Sequence, residues 1–214
     1  MENFIKKSKK FAFTTLELMV VMAAIAILAS IVLPAFGKVK RSVYMNQSKI
    51  QFGRYVFALN AYYREYGYFP QIADKDTPLA SETIISLDET KSINLIRALS
   101  GKEINGVSPL ETNSEYLNPR GISFLEFSDD DFQKNSDGTY NRTRLADRFN
   151  NADIKLVVEN DAATDTDVVI PQNIFNACPT IKEKVPDSGL REKVAIFTIG
   201  DDNKSIDVVS WKME

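Results

Sequence analysis

Residues 13–37 read FTTLELMVVMAAIAILASIVLPAFG, and 19 of them are hydrophobic. From Leu18 to Gly37 no side chain carries a charge. That run of 20 residues, at ~1.5 Å rise each, matches the ~30 Å hydrocarbon core of a bilayer and predicts a membrane-spanning helix. Pro34 is expected to kink or loosen the end of the span. Upstream, Lys6, Lys7, Lys9 and Lys10 form a basic leader that favours a cytoplasmic N-terminus. Lys38, Lys40 and Arg41 on the other flank oppose that preference, but the long body beyond them is expected outside. Glu17 stands at the mouth of the apolar run, where a carboxylate at mid-bilayer costs roughly 2.5–3.5 kcal/mol. Two readings stand for it. It either marks the edge of the span at the interface, or it is buried and requires a positive partner.

The rest of the composition works mainly by exclusion. The chain has 214 residues, 26 Lys+Arg against 29 Asp+Glu, no histidine and one cysteine. Without histidine there is no Ser-His-Asp or Cys-His catalysis and no His-containing zinc site. Cys178 alone makes neither an intramolecular disulfide nor a multi-cysteine metal cluster, and it reads as a small buried hydrophobe. Nine glycines occur without a G-x-G-x-x-G or P-loop pattern. A formal charge of −3 gives no electrostatic case for nucleic acid. That charge is an average: without residues 1–12, which carry four lysines and one glutamate, it becomes −6. Beyond the apolar run, residues 38–214 have a soluble composition, about 40% apolar.

The helix is expected to continue past the span, covering roughly 13–66. Met45, Phe52, Leu59 and Tyr66 recur every seven residues, with Tyr55 and Tyr62 between them and Val56 and Tyr63 widening the stripe. Gly67 and Pro70 predict its end. Residues 71–90 read as loop. SINLIRALSG (92–101) predicts an amphipathic helix with Ser92 as N-cap and Gly101 past its end. Residues 102–120 read as a surface loop, and GISFLEF (121–127) as a strand. IKLVVE (154–159), VAIFTI (194–199) and SIDVVSW (205–211) complete a small antiparallel sheet. The acidic run ENDAATDTD (159–167) lacks the glycine and terminal glutamate of an EF-hand and reads as a solvated loop. No carboxylate pair is singled out for hydrolytic chemistry.

KKSKKFA-FTTLELMVVMAAIAILASIVLPAFGKVKR resembles the N-terminal signal of type IV pilins and type II secretion pseudopilins: a basic leader, a small residue, then Phe, an aliphatic stretch and a fifth-position glutamate. The resemblance implies cleavage between Ala12 and Phe13 by a prepilin peptidase and N-methylation of Phe13. Glu17 is then fifth in the mature chain. Its implied role is assembly, with its carboxylate meeting the N-terminal amine of a neighbouring subunit. Ala12 stands where glycine is usual, and Thr15 where an aliphatic residue is usual. LNAYYREYGYFP (59–70) and NPRGISFLEF (118–127) are similar to major pseudopilins in particular. Many of these continue into an Asp-Pro-Trp-Gly turn; ADRFNNADIKLVVE (146–159) keeps Asp147 but lacks Pro, Trp and Gly.

FTIGDDNKSIDVVSW (197–211) resembles the pseudopilin C-terminus, where a loop before a Ser-Trp pair often binds calcium. The matching ligands are Asp201, Asp202 and Asp207. This loop is short and contains Lys204, so a solvated acidic turn stands beside the Ca2+ reading.

The expectation is thus an α+β, pilin-like chain in four parts: a leader (1–12), a transmembrane and filament-core helix (13–37), its amphipathic continuation (38–70) and a periplasmic head (71–214). It would be a structural subunit and not an enzyme, in a homo-oligomeric filament with other pseudopilins. The further partners would be the prepilin peptidase and the inner-membrane secretion platform, with no nucleic acid. It would start as a single-pass inner-membrane protein. A type IV pilin for adhesion, motility or DNA uptake is the near alternative, though the cysteine pair of many such pilins is missing. A Sec-exported soluble binding protein or enzyme is the distant one.

Overall fold

A computed structural model describes residues 14–73, 79, 83–106, 108–111, 114–159, 168–200 and 207–211. The chain divides into two compact units, Met1–Val43 and Tyr44–Glu214. Helix α1 (Thr15–Tyr66) begins in the first and ends in the second.

In the first unit the large apolar side chains described from Leu16 to Phe36 are between 47% and 74% exposed. No single helix among the described residues is long and apolar enough to cross a membrane; Thr15–Ile31 and Phe36–Tyr66 meet that requirement only together, as a bent pair. The break between them includes position 34.

The second unit is a layered α+β body. The heptad stripe packs as its spacing predicts: Phe52, Tyr55, Leu59 and Tyr62 are buried, joined by Ala58. They face Leu95 and Leu99 of α2 (Glu89–Ser100) and one side of a four-stranded antiparallel sheet. That sheet has the order β1 (Ile85–Ser86), β4 (Ile154–Val158), β5 (Val194–Thr198), β6 (Val208–Val209). Alternation along its strands sorts two cores. Leu156, Val158, Val194 and Ile196 point to α1, whereas Val157, Ala195, Phe197 and Val209 point the other way. The second face is covered by a 3₁₀ turn (Gln172–Ala177) and the short helix α3 (Pro179–Lys182), through Phe175, Cys178 and Ile181. Burial on both faces explains why Val194–Phe197 of this strand read as continuously apolar.

Several elements differ from expectation, each for a local reason. Helix α2 starts one turn earlier than Ser92, because Asp88 is its N-cap and accepts from the Lys91 N–H at 2.8 Å. Ser92 is buried inside the helix. Gly101 does end it in the left-handed region (φ 67°), and a Cβ there would sit 2.7 Å from the Gly121 backbone. GISFLEF forms no strand. Its backbone donors serve the C-terminus of α2: the Phe124 and Leu125 N–H groups both donate to the Leu99 carbonyl, at 2.8 and 3.0 Å. Asn118 completes this closure, its amide donating to the Ala98 carbonyl at 2.8 Å while its oxygen accepts from the Tyr66 hydroxyl at 2.6 Å. The stretch 71–90, expected as loop, contains β1, which pairs with β4 through Ile85–Leu156.

A hairpin not expected from the sequence joins β2 (Phe132–Lys134) to β3 (Tyr140–Leu145). Its turn holds Asp137 and Gly138, with Gly138 at φ 88°. α1 is tied to this region by Gln51, which donates to the Ala146 carbonyl at 2.8 Å.

Candidate functional site

The residues singled out from the sequence fall at opposite ends of the chain. Ala12 and Phe13 lie outside the described residues. Glu17 is described, and its surroundings change its reading. Thr14 precedes the first helical residue and Glu17 is the third within the helix. The Glu17 Oε2 accepts from both the Thr14 backbone N–H and its hydroxyl, each at 2.9 Å, while the Glu17 N–H donates back to Thr14 Oγ1 at 3.2 Å. This is a capping box, signalled in the sequence by Thr-x-x-Glu ahead of an apolar run. A carboxylate in the first turn also meets the positive end of the helix dipole. Within its own chain the Glu17 carboxylate is thus held by neutral donors.

At the other end, Asp201 and Asp202 lie outside the described residues, and Asp207 stands just before β6. Both oxygens of Asp207 are engaged within the chain: Oδ2 accepts from Lys184 Nζ at 2.6 Å, and Oδ1 from the Gly200 N–H at 2.8 Å. Burial pushes this carboxyl up, but the Lys184 ammonium and the Gly200 N–H together outweigh it and leave it below its ordinary value. No group of three or more metal-binding side chains occurs among the described residues. Of the three expected calcium ligands only Asp207 is described, and its carboxylate is already shared between an ammonium and a backbone N–H.

Asp147 organises the turn before β4. It is buried, its Oδ1 accepting from the Phe149 and Asn151 N–H groups at 2.8 and 2.9 Å and its Oδ2 from the Thr198 hydroxyl at 2.9 Å. Burial pushes its carboxyl above the usual range despite these bonds. Asn150 closes the turn at φ 65°, its N–H donating to the Asp147 carbonyl at 2.9 Å. Phe149 meets Tyr44 edge-on, ring centres 5.7 Å apart.

Cys178 is buried, and burial pushes its thiol up, away from the reactive thiolate. Of the run 159–167 only Glu159 is described; its N–H extends the β4–β5 ladder to the Lys193 carbonyl. A cleft of about 190 Å³ lies beside the end of α2, lined by Ile96, Glu103, Phe127, Phe132 and Arg142 among others. Of its charged groups, Glu103 pairs with Arg97 and Arg142 with Asp129. Thr14 and Lys184 are the two residues that the sequence reading overlooked. The first carried a signal in its spacing to Glu17; the second, 23 residues from its partner, carried none. No protein-family model matches this chain, nor does any curated protein or solved structure.

Proposed function

We propose that this chain is a structural subunit of a pilin-like filament, of the type II secretion pseudopilin kind, held in the inner membrane by residues 13–37 until assembly. The observation that carries the reading is the first half of α1. A helix exposing its large apolar side chains from Leu16 to Phe36 has no stable place in water. Lipid would cover it before assembly and neighbouring copies afterwards. The same helix then turns amphipathic and anchors a folded head. Its task would be mechanical, with no turnover of its own.

The turn at 147–150 adds support. Where the resemblance expects Asp-Pro-Trp-Gly, the chain has Asp147, an aromatic residue at the third place and Asn150 at the fourth. Asn150 adopts the positive φ that glycine would supply. The capping box also refines the role of Glu17. Neutral donors hold its carboxylate in the free subunit, and in the filament the new amine of a neighbour's Phe13 would add the compensating charge.

Mass spectrometry of the mature N-terminus tests the reading. A chain beginning at N-methylated Phe13 is expected, and a mature start near Lys38 would overturn the filament role in favour of a secreted protein. Glu17→Ala is expected to insert in the membrane but to be lost from filaments; normal incorporation would refute the role given to Glu17.

A further inference from the structure

The last strand of the sheet needs help to stay in place. β6 has two residues, lies at the sheet edge and pairs with β5 only through Phe197–Val209 and Thr198–Val208. Further attachments follow directly. Ser210 exchanges two bonds with Ile196: its N–H donates to the Ile196 carbonyl at 2.9 Å, and its hydroxyl accepts from the Ile196 N–H at 3.0 Å. The Trp211 indole donates to the Lys184 carbonyl at 2.9 Å. Ahead of the strand, the Asp207 carboxylate accepts from the Gly200 N–H.

Lys184 therefore meets this edge twice, through its carbonyl and through its ammonium. Its backbone is itself fixed, its N–H donating to the Ile181 carbonyl at 2.9 Å just after α3. The pair is also shielded, with the Lys184 and Asp207 side chains 26% and 15% exposed. A divalent ion at Asp207 would have to share the carboxylate with a positive charge already in contact with it, and like charges at that range repel strongly.

We propose that Lys184 is the resident cation of the C-terminal clasp, fastening β6 through Asp207 so that the head needs no divalent ion. The chain supplies internally the positive charge that a calcium ion would bring from solution. This assignment stands independently of the filament reading.

Thermal melts of the full chain in detergent test it, with millimolar calcium or a chelator present, for the wild type, Lys184→Met and Lys184→Arg. The wild type is expected to melt at one temperature in both conditions. Lys184→Met should melt lower by about 3–8 °C for a chain of this size, and Lys184→Arg should recover part of the loss. A calcium-dependent rise in the wild type would overturn the proposal, as would a Lys184→Met melt equal to the wild type. If Lys184→Met fails to fold, the wild type still decides: an unchanged melt with a folded Lys184→Arg supports the clasp, and a calcium response refutes it.

Discussion

Asp147 shows how one buried carboxyl links a turn to the stability of the sheet. It bonds two backbone N–H groups of its own turn and the hydroxyl of Thr198 on β5. Its pKa is raised on folding, burial being the largest cause. A raised carboxyl binds its proton more tightly in the folded chain, so its contribution is fully present below the unfolded value of about 3.9 and is lost as pH rises through the folded value. Asp207, lowered on folding, has the opposite sign: its contribution is present above the unfolded value and is lost as pH falls through the folded one. Asp147→Asn is therefore expected to remove the part of the stability that declines above about pH 4, leaving a profile dominated by groups such as Asp207. Denaturant melts across pH 3 to 8 would check this. Asp147→Ala leaves three donors without their acceptor and should cost about 2–4 kcal/mol at any pH.

At the scale of elements, two glycines separate conformation from packing. Gly101 and Gly138 both have positive φ. A Cβ at Gly138 meets open space, whereas at Gly101 it would lie 2.7 Å from the Gly121 backbone. Gly138→Ala should cost about 1 kcal/mol from conformation alone, and Gly101→Ala at least about 2 kcal/mol, since neither backbone can yield cheaply. Equal losses in urea melts would contradict the close approach of α2 to Gly121.

The same elements show what the sequence makes legible. The packing stripe of α1 is readable because burial on one helix face forces a repeat, and Phe52, Tyr55, Leu59 and Tyr62 keep it. Strands β4 and β5 are readable because both faces are buried. β3, YNRTRL, is not, since most of its side chains are polar or half-buried. Its one signal, Asp137-Gly138, is a turn signature without apolar alternation beside it. GISFLEF misleads in the opposite sense: it is rich in strand-favouring apolar and aromatic residues, yet its donors at Phe124 and Leu125 are taken by a helix C-terminus distant in sequence. Lys184 escapes for the same reason, because an ion pair formed by the fold leaves no periodicity.

For the molecule as a whole, the division at Tyr44 separates two kinds of surface. Among the described residues none before Ser48 is buried, and both cores are built from residues beyond it. A chain starting at Tyr44 is accordingly expected to fold alone, stay soluble without detergent and melt within about 4 °C of the full chain. Loss of cooperative melting in that fragment would mean that the apolar half contributes to the stability of the head as well as to its anchoring.

Trp211 gives that head an optical property. It is the only tryptophan in the sequence, buried with its ring centre 5.8 Å from Phe175 and 6.2 Å from Phe197. Its ultraviolet emission therefore comes from a dry aromatic nest at one end of the sheet and from nowhere else. Release of the C-terminal edge would wet the indole and move the emission to longer wavelength while the helical signal of α1 stayed constant. The chain thus carries an intrinsic gauge for the detachment of its last strand.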